Sequence, residues 1–317
     1  MRKKKSMFLF GTAVMMMSAT AADAEEASAP LRAVIFYQEQ TWIQDINIMQ
    51  QIAQSIQRNL EDHPEVALSC YGTENLSMTQ SMKAAVNMRA DVMICYGVDS
   101  EEARAGYKSL TDHDIRILMV DGDVEDSGRF AYIGTDNYGG GIQAAEIILN
   151  EKGKEAKVAV LAPSLGTGLR SVGARLDGFE AAAKENKMNI TAYCETTYDS
   201  LTAIEKIEIL LEENPDLEAL FCAEAVSGQA AADVVEEMGL KDQMMVITYD
   251  KNQRIEEDLR KEAIDVTLAQ DTEAIGKACA QQLIALAADR TMESGDDAAF
   301  ECIPLTDQDL EEEEYEP

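Results

Sequence analysis

Short apolar runs alternate with amphipathic helical patterns almost without a break from residue 31 to residue 305, and nothing else in the chain constrains its fold so strongly. Residues 33–37 (AVIFY) form an apolar run of buried-strand type. A helical stripe follows, with Ile43, Ile46, Met49, Ile52, Ala53, Ile56 and Leu60 on one face. Strand-like runs recur at 66–72, 91–97, 115–121 and 129–135, separated by helical stretches at 80–89 and 100–110. A second series opens at 157 (KVAVLAP), with helices at 168–187, 201–213, 228–238 and 254–261. Its strands lie at 189–194, 217–223, 244–250 and 264–270. A helix at 273–288 and a single strand at 299–305 close the pattern. Strands that alternate with helices build parallel sheets covered on both faces. Two successive series predict an α/β fold of two doubly wound parallel-sheet lobes. In such sheets a ligand lies beyond the carboxyl ends of the strands, so the residues just after each strand are the ones to read.

Those residues are polar. Gln38, Glu39 and Trp42, the only tryptophan, follow the first strand; Asp99 follows the third, and Asp121 and Asp123 the fourth. Asp136 and Asn137 follow the fifth, Glu224 follows LFCA, Asp250 ends MMVITYD and Gln270 ends IDVTLAQ. Carboxylates and amides beside an indole suit a polyhydroxylated ligand, because they share hydrogen bonds with hydroxyls while an aromatic face covers the apolar side of a sugar ring. The same residue types also cap a following helix or shape a turn. Their recurrence at several strand ends favours the ligand.

Charge narrows the function. With 27 basic and 59 acidic side chains the net charge is −32, which repels nucleic-acid phosphates and anionic lipid alike. No apolar run reaches the roughly 18 residues of a membrane span, so a multi-pass membrane protein is excluded. Residues 1–24 read as a cleaved export signal: a basic start at 2–5, a short Met-rich apolar stretch at 7–19 and Ala-Asp-Ala at 22–24. No cysteine near that site offers a lipid-anchor acceptor, so the expected location is periplasmic or extracellular. The six cysteines form no C-x-x-C pair, and three sit in apolar strand-like runs, so they read as buried thiols and not as zinc ligands.

Several segments, taken in order, resemble type I periplasmic binding proteins of the ribose/galactose group, kin of the lac-repressor effector domain. They are FAYIGTDNYGGGIQAAEIIL (130–149), RLDGFEAA (175–182), ALFCAEAVSGQAAADVV (219–235), VITYD (246–250), TLAQDTEAIGKACAQQL (267–283) and CIPLTDQDL (302–310). The resemblance implies two lobes joined by three crossing segments, near 134–137, 269–271 and 292–298, that close like a hinge on a small sugar. An N-terminal lobe of 31–135 is then completed by 271–292, and a C-terminal lobe of 136–269 by 298–306. The acidic stretch 307–317 follows as a disordered tail. Position by position, Asp121 and Asp250 match the aspartates that bind ring hydroxyls in each lobe, and Gln270 matches the glutamine of the second crossing. Trp42 falls near the family's aromatic positions, and Arg170 and Arg175 share the segment that places a ligand-binding arginine. Three departures bear on specificity: Asp121 is followed by Gly122 where pentose binders often have arginine, Glu224-Ala225 replaces Asn-Asp, and the loop after the first strand reads Glu39-Gln40-Thr41-Trp42 in place of Asn-Pro-Phe. A carboxylate at Glu224 points to an amino sugar or another ligand carrying a cation.

Catalytic signals are weak. Gly166-Thr167-Gly168 lacks the third glycine of a dinucleotide fingerprint; Gly139-Gly140-Gly141 has no following Lys-Ser/Thr, so that run reads as close packing at a lobe crossing. Neither His63 nor His113 has the context of a triad. The expectation is a non-enzymatic, monomeric receptor without cofactor or resident metal. It would deliver its ligand to the membrane permease of an ATP-driven importer, or dock on a sensor kinase or chemoreceptor.

Overall fold

The computed structural model describes residues 29–38, 47–73, 77–163 and 168–310. The expected export signal and the loop holding Glu39 and Trp42 lie outside them. The chain runs β1 (Leu31–Gln38), α1 (Ile48–Asn59), β2 (Val66–Thr73), α2 (Met78–Asn87), β3 (Val92–Tyr96), α3 (Glu101–Asp112), β4 (Arg116–Asp121) and β5 (Ala131–Thr135). It continues α4 (Asn137–Lys152), β6 (Lys157–Pro163), α5 (Arg170–Asn186), β7 (Asn189–Thr196), α6 (Ser200–Glu213), β8 (Ala219–Cys222) and α7 (Ala225–Glu237). Last come β9 (Met245–Tyr249), α8 (Gln253–Arg260), β10 (Val266–Ala269), α9 (Thr272–Ala288), β11 (Ala298–Phe300) and β12 (Ile303–Leu305).

Two six-stranded sheets result, ordered β11-β5-β4-β3-β1-β2 and β12-β10-β9-β8-β6-β7. Every pair is parallel except β10–β12, which is antiparallel. The predicted fold class is therefore the observed one. In each sheet the chain reverses its direction of build beside the first strand, opening a crevice between β1 and β3 in one lobe and between β6 and β8 in the other. Helices cover both faces. Ile52 and Ile56 of α1 meet Ile275 and Leu283 of α9 on one side of the first sheet, while Met82, Tyr107 and Leu110 fill the other. In the second lobe Phe179 stacks on Phe221 at 4.0 Å between ring centroids.

The chain passes between lobes after β5, after β10, and between β11 and β12. The third passage corrects the expected position at 292–298. Residues 298–300 pair with β5 in the first sheet, and only 303–305 join the second, so the expected single strand 299–305 is split by Glu301 and Cys302. The stretch expected to be a disordered tail also begins differently. Residues 307–310 form a helical turn with Leu310 2% exposed, held by Asp309 accepting from the Thr306 backbone N–H at 2.7 Å. One apolar side chain at the right spacing anchors an otherwise acidic stretch.

Gly140 and Gly141 serve close packing within the second lobe, whereas Gly139 lies against the carboxylate of Asp136, the cap of its own helix. A Cβ on Gly141 would meet the Arg175 carbonyl oxygen at 2.0 Å, and one on Gly178 would meet the Tyr138 carbonyl oxygen at 2.0 Å, so α4 and α5 cross backbone to backbone. Gly141→Ala should force these helices apart and lower stability by about 1–3 kcal/mol, measured by denaturant unfolding. All six cysteines are unpaired thiols. Thiol titration in denaturant without reductant should count six, and reductant should leave the melting temperature unchanged.

Candidate functional site

Six non-glycine residues among those described have positive φ. Arg89, Asp114, Lys187 and Glu262 are exposed and follow helices, where a left-handed residue is an ordinary terminator. Asp121 (φ 62°) instead ends strand β4 and Asp250 (φ 72°) follows strand β9, and the two strands hold the same place in the two sheets. That conformation costs roughly 1–3 kcal/mol at a non-glycine residue and persists only where the surroundings enforce it. Here they do. The Asp121 carbonyl accepts from the Asn137 amide at 2.6 Å and the Tyr132 hydroxyl at 3.0 Å, and the Asp250 carbonyl accepts from the Thr267 hydroxyl at 2.6 Å.

Both aspartates line one polar chamber of about 230 Å³ between the lobes, with Arg175, Tyr198, Glu224 and Gln270. Arg175 organises it. Its side chain is 3% exposed; Nε donates to Asn137 Oδ1 at 2.8 Å, Nη1 to the Ala223 carbonyl at 3.1 Å, and Nη2 lies 3.9 Å from Asp121 Oδ1. The guanidinium also sits over the Tyr249 ring, 4.0 Å from its centroid. Burial alone would lower its pKa, but the charges of Asp250 and then Asp121 outweigh that and hold it above the ordinary arginine value. Gln270 links the chamber to the crossings. Its carbonyl accepts from the Thr135 hydroxyl at 2.6 Å, and its amide donates to Asp250 Oδ1 at 2.8 Å. Burial raises the Asp121 pKa, opposed mainly by Arg175.

The lobes also touch directly. Val98 and Leu169 form an antiparallel bridge, the Asp99 N–H donates to the Gly168 carbonyl at 2.8 Å, and the Gln51 amide donates to the Lys251 carbonyl at 3.1 Å.

The expected residues therefore divide. Asp121, Arg175, Glu224, Asp250 and Gln270 come together, with Asn137 buried immediately behind Arg175. Gln38 ends β1 beside Thr73 of β2. Arg170 is exposed and lines a different cavity at the lobe junction, with Asp99, Arg104 and Asp126. It stands five positions from Arg175 on α5, so the two cannot share a helix face. Ser171, four before Arg175, does share it and lines the chamber. Glu224 lines the chamber and also caps a helix. Its Oε1 accepts from the Ser227 N–H (2.8 Å) and from the Ser227 hydroxyl, and its Oε2 accepts from the Val226 N–H (2.7 Å), so both oxygens face the start of α7. Asp136, Asn252 and Asp271 cap α4, α8 and α9 in the same way. Tyr198, Asn47 and Lys251 line the chamber without a sequence signal, since each lies in a connection whose path is set by tertiary packing.

With two lobes of matching topology and a chamber between them, comparison with known proteins is direct. Residues 38–291 match the model of the periplasmic binding protein domain. The chain belongs to the periplasmic binding protein family. Among curated relatives of this family, the ribose import binding protein RbsB of Bacillus subtilis is 24% identical over 204 residues, 64% of this chain and 65% of that protein. The chain thus spans slightly under two thirds of that relative's length. GanP, a glucose-galactose binding protein from Geobacillus stearothermophilus, superposes with a TM-score of 0.80 at 23% identity, covering 89% of this chain and 99% of that one. A solute binding protein from Burkholderia graminis in complex with D-arabinose gives 0.77 at 17% identity, covering 89% and 97%. These structural likenesses establish the family fold.

Arg175→Met should cost about 3–5 kcal/mol, because it leaves buried carboxylates without their cation; urea unfolding measures it. A raised Asp121 pKa means that its contribution is fully present below the ordinary carboxylate value of 3.8 and is lost as pH rises through the folded value. Asp121→Asn removes that loss, so its melting temperature relative to wild type should climb from pH 4 towards neutrality.

Proposed function

We propose that the chain is exported and acts as a receptor that closes on a small polar solute, a monosaccharide or related sugar. It hands the solute to the membrane permease of an ATP-driven importer and performs no catalysis. The observation that carries this reading is the pair of left-handed, strand-end aspartates, one from each lobe, flanking a buried arginine in one chamber. Each carboxylate offers about four acceptor positions, and the guanidinium and the Gln270 amide supply donors beside them. Such a set matches vicinal hydroxyls, which both donate and accept. A ligand touching Asp121 and Asp250 together contacts both lobes and so favours their closed arrangement by its difference in affinity. The sugar-binding names of the relatives support the ligand class, and the import role of the ribose protein favours a permease over a sensor kinase as partner. Among the described residues no helix is long and apolar enough to cross a membrane.

Thermal unfolding against a panel of pentoses, hexoses, amino sugars and polyols tests the reading. A sugar at about 100 times its dissociation constant should add about 2.7 kcal/mol, several degrees at this size. Asp250→Ala and Gln270→Ala should abolish the shift. A flat panel from folded protein would reject the sugar reading.

A further inference from the structure

Helix α5 begins differently from its neighbours. Every other α-helix among the described residues is preceded by a residue whose side chain accepts a first-turn N–H, as Ser100 does for α3 and Asp136 for α4. Before α5 stands Leu169, which has no side-chain oxygen and makes no such bond. The first N–H groups of an α-helix have no partner inside it, so they take acceptors from elsewhere in the chain or from water. Here the first lobe supplies one. The Arg170 N–H donates to the Gly97 carbonyl at 3.3 Å, and in return the Asp99 N–H donates to the Gly168 carbonyl at 2.8 Å, on either side of the Val98–Leu169 bridge. Gly97 directly follows β3 and Arg170 opens α5, so main chain alone joins the two lobes at this point.

Gly122, beside it, shows how closely the lobes approach. A Cβ there would meet the Ser171 nitrogen at 2.7 Å and the Arg170 Cβ at 3.1 Å, both across the lobe junction. From the other side, a Cβ on Gly168 would meet the Asp99 carbonyl oxygen at 2.6 Å. None of Gly97, Asp99, Gly122 and Gly168 lines the polar chamber. We infer that this contact is a clasp: the first lobe caps α5 of the second and thereby populates the closed arrangement independently of any solute. Its bonds form only with the lobes together, and they break when the lobes part. Closure then has two sources, the solute that bridges Asp121 and Asp250 and the clasp outside the chamber. The apparent affinity of a solute scales with the population already closed, so Gly122 acts as a positioning residue that sets affinity without touching the ligand. The inference rests on the lobe contact and not on which solute binds.

Amide hydrogen exchange followed by NMR reads the clasp directly in protein refolded from urea to strip any bound solute, because among the described residues the Asp99 N–H has Gly168 as its acceptor. In wild type that amide should exchange at least about tenfold more slowly than an unstructured one. Gly122→Ala should bring it to within about twofold of the unstructured rate. The Ala103 N–H, held by the Ser100 hydroxyl at 3.1 Å inside the first lobe, should keep its wild-type rate. Gly168→Ala alters only the second lobe and should act on Asp99 in the same way, which separates loss of the clasp from loosening of the first lobe. An Asp99 amide that is unprotected in wild type would overturn the inference. So would protection that survives both substitutions. Neither result depends on a sugar, so failure here leaves the sugar reading standing.

Discussion

A charged guanidinium buried between two lobes sets the terms for the rest of the molecule. Arg175 is almost wholly removed from water, and an ion in that position persists only if hydrogen bonds and opposite charge replace its hydration. The chain answers with an amide from the first crossing (Asn137), a carbonyl from the end of β8 (Ala223), an aromatic face from β9 (Tyr249) and the charges of Asp121 and Asp250. Each partner comes from a different element, so the position of one side chain fixes the mutual placement of most strand ends that matter. The glycine-mediated contact of α4 with α5 belongs to the same device, because it seats the helix turn from which Arg175 projects.

The duplicated topology explains why two aspartates face each other at all. Strands β4 and β9 occupy equivalent places in sheets of the same order, and each ends in a left-handed aspartate whose carbonyl is held by a side chain of the neighbouring strand. The geometry that directs one carboxylate into the crevice is thereby repeated from the other side. Gln270, bonded to Thr135 at one crossing and to Asp250 in the second lobe, ties the chamber to the segments about which the lobes are joined.

The architecture was legible in the sequence because buried parallel strands read as continuous apolar runs and their order is limited by few rules. Several site residues were legible for a related reason: Asp121, Asp250 and Gln270 each end such a run. Position alone did not separate ligand-facing groups from helix caps. Glu224 and Asp250 both follow strands, but one points its oxygens at the next helix and the other turns through a positive φ, a difference that backbone geometry decides and residue type does not. Arg170 could have been set aside from Arg175 by helical periodicity, since Ser171, Arg175 and Phe179 repeat every four residues on the buried face. Tyr198 and Lys251 carry no periodic signal. The division of 299–305 into two strands was hidden because one apolar run supplied both.

That division has a consequence for how the molecule is assembled. Strand β11 completes the edge of the first sheet, and α9 supplies Ile275, Cys279 and Leu283 to the first-lobe core, yet these residues are among the last in the chain. The second sheet likewise gains its final strand only at 303–305. Neither lobe can therefore finish as its own stretch of sequence leaves the ribosome. The first lobe closes on contacts well over a hundred positions apart, such as Ile133 with Ala298, which are slow to form, whereas β12 of the second sheet pairs with β10 from fewer than forty positions away; the lobe whose sequence comes first is the one that waits.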